Sequence, residues 1–244
     1  MSQHDMTKFQ NDMAALDVHL DKSQITQFLQ YYDLLTQWNE FMNLTAITEF
    51  GEVCTKHFVD SVSLCKVYDC TKNVSVIDVG TGAGFPGIPL KIAFPNLQIT
   101  LLDSLGKRVK FLEEVIKKLE LSDIKAIHGR AEDYAKPSQL RESFDLCVSR
   151  AVANLSVLSE YCLPYVRLGG YFVSYKSEKV SEELAMAKKA IGMLGGELYA
   201  QEEFSLPSSD IYRNLVMIKK LIPTPKKYPR KAGMPSKEPL IGGL

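Results

Sequence analysis

From residue 74 onward, short β-branched runs alternate with helical stretches, and this alternation constrains the fold more than any other feature. Buried parallel strands read as continuous apolar runs, and helices between them imply right-handed crossovers on both faces of one sheet. The last two runs have no helix between them, which predicts an antiparallel hairpin at one edge. We therefore predict an α/β fold with a mostly parallel, seven-stranded sheet built from VSVIDV, QITLLD, IKAIHG, FDLCVS, GGYFVSY, ELYAQEEF and RNLVMIKKL.

The first 70 residues have helical periodicity and no strand-like run. Residues 21–45 place apolar side chains at helical spacing, with Asp21 as the expected N-cap, and a second helix is expected over 52–68. We therefore divide the chain into an N-terminal helical extension (1–70), a sheet domain (71–222) and a basic, proline-rich tail (223–244). The tail contains five prolines before Leu240, so it cannot continue the sheet and is expected to lie over the surface.

Composition favours one cytoplasmic domain with a sizeable core. The chain has 244 residues, 45% of them apolar, which is enough to bury a substantial interior. No stretch approaches ~18 apolar residues, and the N-terminus lacks a basic end followed by an apolar segment, so we expect no membrane span and no secretory signal. The five cysteines include no CxxC pair, so we expect buried thiols, no disulfide and no metal site. We also expect a monomer.

Charge is unevenly distributed, although the formal net charge is zero. Residues 1–60 carry nine acids against three lysines, a balance of −6, whereas residues 213–237 carry eight lysines and arginines and no acid, a balance of +8. A solvated face with a loose tail would explain the basic segment. A surface that displaces counterions from nucleic-acid phosphates would explain it equally well.

A glycine-rich loop, GTGAGFPG, follows the first strand-like run. Gly80, Gly82 and Gly84 allow tight turns and close approach of a ligand to the backbone, because no Cβ intervenes. Ligands of doubly wound sheets bind beyond the carboxyl ends of the strands, where this loop should lie. Since these alternate glycines exceed what a structural turn needs, we predict a ligand site here.

Residues around the loop favour a cationic ligand over a phosphorylated one. GAGFPG fits GxGxxG as a string, but when the pattern is read from Gly80 at the strand end, its third glycine position falls on Phe85. No GK[ST] follows, which excludes a P-loop. Asp78 would oppose a pyrophosphate and would welcome an ammonium or a sulfonium. S-adenosylmethionine carries both of these cations and no phosphate.

Further acids follow the next strands. Asp103 closes QITLLD about twenty residues after the loop, where a carboxylate can bind ribose hydroxyls. Ala131 and Glu132 follow the third run, where an adenine edge would lie. Each acid alone is also compatible with a helix cap or a surface role. The ordered series of Asp78, the glycines, Asp103 and Glu132 predicts a nucleoside site.

Seven motifs in combination resemble the bacterial GidB family. They are WNEFMNLTAI, HFVDS, IDVGTGAGFPGIPLKI, LLDSLGKRVKFL, GRAE, SRAVANL and RKAGMPSKEPL, and they extend from about residue 25 to the C-terminus. The resemblance implies a Rossmann-like class I methyltransferase fold of seven strands with a helical N-terminal part. It also implies an enzyme that uses S-adenosylmethionine to methylate N7 of a guanine in small-subunit ribosomal RNA, either as free RNA or in the small ribosomal subunit.

The resemblance further implies which residues contact the methyl donor: Gly80, Phe85, Ala131, Glu132 and Arg150, with Asp103 meeting the ribose. Asp78, Gly82 and Gly84 complete the predicted cofactor-binding set.

The acceptor side contains none of the residues that other methyl acceptors would require. An exocyclic amine would call for a polar residue, two prolines and an aromatic after the fourth strand, but SRAVANL stands there. Cys147 and Cys162 lie in an apolar strand and a predicted helix, so we interpret both as core residues rather than nucleophiles. Guanine N7 has a free lone pair and no proton to remove, so it suits such a site.

Three cations form the predicted catalytic set. Arg150 follows the fourth strand and could hold guanine O6, fix a phosphate or pair structurally with an acid. Lys176 ends the fifth strand, and Arg213 begins the last one. We interpret His57, three residues before Asp60, as a packing or positioning residue rather than as a catalyst.

The basic C-terminal segment is predicted to form the RNA-facing rim through Lys227, Tyr228, Arg230 and Lys231, with Tyr228 available for base stacking. The target base would have to be splayed out to reach the donor.

Two alternatives to this function remain open. One is a methyltransferase for a small molecule, which would not need the basic segment; the other is a non-catalytic ribosome assembly factor that retains a donor-like pocket.

Overall fold

The computed structural model describes residues 4–150, 153–178 and 180–240. Within these ranges seven strands form one sheet: β1 (Ser75–Val79), β2 (Gln98–Asp103), β3 (Ile124–His128), β4 (Phe144–Ser149), β5 (Val166–Lys176), β6 (Gly196–Ser205) and β7 (Tyr212–Lys220). Their order is β3-β2-β1-β4-β5-β7-β6. Strands β1 to β5 pair in parallel, whereas β7 is antiparallel to both β5 and β6. The predicted α/β sheet with an antiparallel edge hairpin is therefore confirmed.

Ten α-helices surround the sheet in the described ranges: α1 (Thr7–Ala14), α2 (Lys22–Met42), α3 (Phe50–Val53), α4 (Asp60–Val62), α5 (Gly87–Ala93), α6 (Gly106–Lys118), α7 (Ala131–Tyr134), α8 (Leu155–Cys162), α9 (Ser181–Met193) and α10 (Met234–Lys237). A π-helix (Cys54–Val59) joins α3 to α4, and 3-10 turns follow α4 (Ser63–Lys66) and α8 (Leu163–Tyr165). The sheet keeps its topology because α5 and α6 provide the crossovers between the first three parallel strands.

Helix α2 begins at its predicted cap. Asp21 Oδ1 accepts a hydrogen bond from Gln24 N over 2.8 Å, and Gln24 Oε1 accepts one from Asp21 N over 2.8 Å. This reciprocal capping box satisfies two backbone donors at the helix start. Phe28, Tyr31 and Leu35 are buried along one face of the helix. The predicted helix over this region is confirmed.

The second predicted helix is present, but its pitch changes along its length. Residues 50–66 pass from α-helix to π-helix, back to α-helix and then to a 3-10 turn. Val53, Phe58 and Leu64 are buried, whereas Cys65 is only partly buried. Single-turn π segments inside α-helices are frequent at functional sites, and this one carries His57.

The core occupies both faces of the sheet. On one face, the aromatic rings of Phe9, Phe28 and Phe58 pack together with centroid separations of 5.0 to 6.1 Å. They belong to the same apolar cluster as residues of β1, β2 and α5. On the other face, α8 and α9 cover the sheet around Cys147 and Phe172. The N-terminal helices thus share a core with the sheet, and the division at residue 70 stays a prediction.

All five cysteines are free thiols, and four of them are buried. Burial raises the pKa of Cys54 to about 12 and that of Cys65 to about 11. No helix within the described ranges is long and apolar enough to cross a membrane.

Candidate active site

Two adjoining cavities open at the carboxyl ends of the parallel strands. The first, here the glycine-loop cavity, has a volume of about 360 Å³, and Gly80, Ala131, Glu132, Ala153, Tyr161 and Gly233 are among the residues that line it. The second, here the arginine cavity, has a volume of about 650 Å³, and its lining includes Lys56, His57, Asp60, Arg150, Lys176 and Arg213. Ala153 lines both cavities. Molecules bound in the two would therefore meet at this residue.

The glycine loop bends sharply at the end of β1. Gly80, Gly82 and Gly84 have φ angles of 73°, 63° and 97°, a left-handed conformation that favours glycine. Gly80 N donates to Leu102 O over 2.9 Å, which ties the loop to β2. A Cβ on Gly84 would lie 2.8 Å from Tyr31 Oη. Gly84 is thus required for packing against α2, whereas Gly80 lines the cavity.

Asp78 lies beneath the loop rather than on the cavity wall. Its side chain is fully buried, and its Oδ2 accepts hydrogen bonds from Thr81 Oγ1 over 2.6 Å and from Gly87 N over 2.9 Å. Burial raises the pKa of this carboxyl to about 7, against the opposing effect of those two hydrogen bonds. Because side chains alternate along a strand, Asp78 faces α5 while Val79 lines the cavity. Asp78 Oδ2 thus supports the loop, Oδ1 has no hydrogen-bond partner among the described residues, and a role for this carboxyl beside the ammonium of a ligand stays a prediction.

Asp103 and Glu132 differ in how they face the glycine-loop cavity. Asp103 accepts from Gly82 N through Oδ2 and from Leu105 N through Oδ1, each over 2.9 Å, and Arg108 Nη1 lies 3.5 Å from Oδ2. Its carboxylate therefore joins the glycine loop to the start of α6. Glu132 lines the cavity directly, and its Oε1 accepts from Gly233 N over 2.8 Å.

The glycine-loop cavity has the chemistry of a nucleoside site. Its volume falls in the range of about 300–1,000 Å³ that is typical of small-molecule pockets. Val79, Leu102 and Leu158 supply apolar walls, while Gly80 and Gly129 expose backbone. The carboxylate of Glu132 provides a hydrogen-bond acceptor in the cavity wall. The residues present therefore fit a nucleoside donor that carries positive charge.

Asp60 connects the two arginines of the arginine cavity. Its Oδ2 accepts from Arg150 Nη1 over 3.0 Å, and its Oδ1 accepts from Arg213 Nε over 2.7 Å. The carboxylate is only 3% exposed, whereas the guanidinium side chains are 17% and 15% exposed. One carboxylate between two guanidiniums leaves one positive charge in excess, and that charge faces the cavity.

His57 is a neutral positioning residue in this cluster. Its ring stacks on Phe85 with centroids 4.4 Å apart, and Arg150 Cζ lies 5.0 Å from the centre of the same phenylalanine ring. Burial, and then the charge of Arg150, lower the pKa of His57 to about 3. Arg150 Nη2 lies 3.2 Å from His57 Nδ1. Arg150 can only donate to Nδ1, whereas Lys56 O, which also lies 3.2 Å from Nδ1, can only accept, so the two contacts place the ring proton on different nitrogens. Nε2 lies 2.8 Å from Thr45 Oγ1.

Lys176 closes one side of the arginine cavity. Its Nζ donates to Ala153 O over 2.8 Å and to Glu183 Oε1 over 2.7 Å. The lysine thus fixes the residue shared by the two cavities. All three predicted catalytic cations, Arg150, Lys176 and Arg213, line this one cavity.

The predicted cofactor-binding set is distributed around the site. Gly80, Ala131 and Glu132 line the glycine-loop cavity, and Arg150 lines the arginine cavity. Phe85 is buried between the glycine loop and His57. The other four members form or support the loop. Gly82 and Gly84 belong to it, and Asp78 and Asp103 accept hydrogen bonds from its backbone.

The predicted RNA-facing rim needs a correction. Tyr228 is only 5% exposed, because its ring packs into the apolar cluster on the α8 side of the sheet, so it presents no face for stacking. Arg230 pairs with Glu160, Nη2 to Oε2 over 2.6 Å. Lys227 and Lys231 are exposed, and a role for them in RNA binding stays a prediction.

Sequence reasoning missed several residues of the site. Lys56 lines the arginine cavity, and its carbonyl oxygen accepts from Arg150 Nη1 over 3.1 Å. Arg130, Tyr161 and Gly233 line the glycine-loop cavity. The motifs GRAE and RKAGMPSKEPL were the available signals for two of them, since they contain Arg130 and Gly233. Among the described residues, no cluster of three or more histidines, cysteines or acids is arranged to hold a metal ion.

The sheet order, the glycine loop after β1 and the acid at the end of β2 define a Rossmann-like methyltransferase fold. TrmN from Thermus thermophilus has a similar fold, with a TM-score of 0.52, 16% identity and coverage of 69% of this chain and 53% of TrmN. P. horikoshii TYW2, solved in complex with MeSAdo, has a TM-score of 0.51, 14% identity and coverage of 66% of this chain and 61% of TYW2. At these identities the similarity concerns the fold alone.

The chain belongs to the GidB family. The family model, described as rRNA small subunit methyltransferase G, matches residues 24–212. Ribosomal RNA small subunit methyltransferase G of Lachnoclostridium phytofermentans is 55% identical over 237 residues, which cover 97% of this chain and 98% of the relative. The protein of the same name from Acetivibrio thermocellus is 54% identical over 223 residues, 91% of each chain. The resemblance in the seven motifs is thus confirmed.

Proposed function

We propose that this chain transfers a methyl group from S-adenosylmethionine to N7 of a guanine in small-subunit ribosomal RNA. The observation that carries the proposal is the pair of adjoining cavities that share Ala153. One is suited to a nucleoside, and the other is lined by four cations against three acids, an excess of positive charge that suits a nucleic acid. Membership of the GidB family, whose members are named for methylation of small-subunit rRNA, supports the class of substrate.

On the donor side, residues of this chain bind the methyl donor and orient it. Gly80 leaves room for a ligand near the strand end, Ala131 and Glu132 face the base edge, and Asp103 holds the loop that borders the ribose position. S-adenosylmethionine supplies an electrophilic methyl group when it is bound. Because methyl transfer is an in-line displacement, alignment of the two reactants supplies much of the rate enhancement.

On the acceptor side, Arg150 and Arg213 hold the base or its phosphate. Among the described residues, Arg213 Nη2 has no hydrogen-bond acceptor, while its Nε is bound to Asp60 and its Nη1 to Tyr212 O over 2.8 Å. A guanidinium held in this way offers a donor to a guanine O6 or to a phosphate oxygen. Guanine N7 itself stays unengaged and can attack.

The groups of the arginine cavity favour an acceptor without a proton to remove. Both ring nitrogens of His57 are engaged, one by Arg150 and the other by Thr45. Asp60 is held in two ion pairs. Cys147 and Cys162 are fully buried on the other face of the sheet. Attack by the lone pair of guanine N7 requires neither a base nor a thiol.

Methyl transfer to rRNA from cells that lack this protein tests the proposal. Small subunits and free rRNA are incubated with the full chain and labelled S-adenosylmethionine, and modified nucleosides are identified by mass spectrometry. We expect 7-methylguanosine at one position. Label in another base, or in a small molecule alone, would overturn the assignment of the acceptor. No incorporation into subunits, their precursors or naked RNA would instead favour an assembly factor.

We further propose that the protein works as a monomer in the cytoplasm. Analytical ultracentrifugation with and without donor analogue tests the first statement, and cell fractionation tests the second.

A further inference from the structure

Arg141 anchors the first part of the C-terminal strap, defined as residues 224–240, to the sheet domain. Arg141 donates to Thr224 O over 2.5 Å, to Tyr228 O over 2.7 Å and to Pro225 O over 3.3 Å. Thr224 and Tyr228 are themselves buried. A guanidinium that satisfies three carbonyl oxygens of one segment holds that segment in a defined path. The first part of the strap is therefore fixed to the domain rather than loose.

A second anchor lies further along the strap, at Arg230. The backbone N and the side-chain Nε of Arg230 both donate to Glu160 Oε1, over 2.8 and 2.9 Å, and Nη2 donates to Oε2 over 2.6 Å. Glu160 is fully buried. An arginine that turned outward to an RNA phosphate would leave this carboxylate unpaired in the core, which is strongly unfavourable. The geometry thus directs Arg230 inward.

Beyond Arg230, the strap reaches the glycine-loop cavity. Gly233 has a φ of 83°, and its N–H donates to Glu132 Oε1 over 2.8 Å. Both residues line the cavity. Helix α8, which carries Glu160, contributes Leu158 and Tyr161 to the same cavity. The ion pair therefore lies next to the cavity wall, three residues before the contact with Glu132.

We infer that the C-terminal strap forms a wall of the donor site, with Arg230 and Glu160 as positioning residues that hold Gly233 against Glu132. This inference rests on the proposed function, because it takes the glycine-loop cavity as the site of a methyl-donor nucleoside. The strap serves this site by fixing the direction of the Glu132 carboxylate. The positive charge of Arg230 is neutralised by Glu160 inside the molecule and makes no contribution to RNA affinity.

Calorimetric titration with S-adenosylhomocysteine tests the inference on the full chain. We expect Arg230→Gln and Glu160→Gln each to weaken binding at least about tenfold, the consequence of removing one partner of a buried ion pair. Lys226→Gln is the matched control, because it removes the same charge from an exposed position of the same strap. It should change the dissociation constant less than about twofold. Equal affinity of the wild type and Arg230→Gln would overturn the inference.

Arg230→Lys separates geometry from charge. Lysine keeps the positive charge but cannot form the two-pronged contact with Glu160. We expect Arg230→Lys to retain the weakened donor affinity, to raise the KM for S-adenosylmethionine while kcat changes little, and to leave the salt dependence of RNA binding at the wild-type slope. Full recovery of donor affinity by lysine, or a shallower salt slope in Arg230→Gln, would refute the positioning role.

The titration also separates this inference from the proposed function. If the wild-type chain itself fails to bind S-adenosylhomocysteine, the donor site is wrongly assigned and the proposed function fails. If the wild type binds and the Glu160→Gln variant folds and binds equally well, the strap inference fails alone. Glu160 is buried and cannot touch RNA, so a loss of donor affinity in this variant supports the strap inference directly.

Discussion

Arg150 Nη1 donates to Asp60 Oδ2 over 3.0 Å, an ion pair between residues 90 positions apart. Arg150 follows β4 at the carboxyl end of the sheet, whereas Asp60 begins α4 in the N-terminal helical part. Because the other oxygen of Asp60 accepts from Arg213, one buried carboxylate sets the separation of two cations. The N-terminal helices therefore build part of the acceptor side of the site.

Asp60→Asn is expected to impair methylation of RNA without a matching loss of donor binding. Asparagine keeps one carbonyl oxygen but turns an amide donor toward an arginine donor and removes the charge between the two guanidiniums. Since removal of one partner from a buried pair costs about 3–5 kcal/mol, and the arginines here are partly exposed, we expect a stability loss of about 2–3 kcal/mol. The kcat/KM for rRNA should fall at least about tenfold.

Steady-state kinetics and calorimetry check this prediction. Glu40→Gln is the control, because Glu40 is exposed on α2. Donor affinity in Asp60→Asn should stay within about twofold of the wild type. If donor affinity and kcat/KM fell by the same factor, Asp60 would be a general structural residue and not an organiser of the acceptor side.

Gly84→Ala and Gly82→Ala are expected to differ in stability. Both positions have left-handed backbone, where a Cβ costs about 1–2 kcal/mol. At Gly84 the added Cβ would also lie 2.5 Å from Ile88 Cδ1 and 2.8 Å from Tyr31 Oη, whereas at Gly82 it would meet no described atom within 4 Å. Overpacking adds about 1–3 kcal/mol, so Gly84→Ala should be the more destabilised by that amount. Urea unfolding of the two variants measures the difference; equal midpoints would contradict it.

His57 is expected to remain neutral from pH 8 to pH 5. Its pKa is lowered from 6.5 to about 3 by burial and by Arg150. Between these values the unfolded chain binds a proton that the folded chain does not, so stability falls as pH falls through this window, by up to about 1.4 kcal/mol per pH unit from this group. Nitrogen-detected NMR of the imidazole should show a neutral ring from pH 8 to pH 5.

A matched pair of variants isolates this contribution. His57→Gln should flatten the fall in unfolding free energy between pH 6.5 and pH 5, whereas His19→Gln should not, because His19 is exposed. An NMR titration of His57 with a midpoint near 6.5 would show that the ring is charged in the folded protein and would contradict the geometry.

RNA binding is expected to depend steeply on salt and donor binding only weakly. Raising salt from about 50 to 200 mM should lower RNA affinity at least about tenfold, because cations at the RNA surface release counterions on binding. Lys231→Gln should reduce the slope of log affinity against log salt by about 1. Lys125→Gln should leave the slope unchanged, because Lys125 lies at the opposite end of the sheet. Fluorescence anisotropy with an rRNA fragment provides the measurement. Equal salt dependence of donor and RNA binding would contradict the assignment of Lys231 to the RNA-facing rim.

Local sequence pattern predicted the elements of this protein. The seven strands, the cap of α2 at Asp21 and the antiparallel hairpin of β6 and β7 follow from periodicity, capping chemistry and the lack of an intervening helix. Gly80, Ala131 and Glu132 were placed near the site because strand ends of a parallel sheet meet at one edge. These features depend on residues that are close together in the chain, and such residues can be read directly from the sequence.

Two predicted site residues are buried in the folded chain. Asp78 was placed beside a ligand and Tyr228 on the surface, but one supports the glycine loop from below and the other packs into the core. Which face of a strand points to the ligand, and how a proline-rich tail folds back, depend on packing between distant segments. Sequence alone does not show those contacts.

The amino-acid sequence by itself determined the strand and helix order, the backbone freedom of the loop and the family to which the chain belongs. The tertiary structure decided which charges remain available to a substrate. Arg230 is neutralised by Glu160, 70 positions away, whereas Arg213, which shares Asp60 with Arg150, keeps a donor that has no acceptor among the described residues. A charged carboxylate buried without a cation or hydrogen-bond donors is strongly unfavourable, and only the folded chain determines which partner it takes.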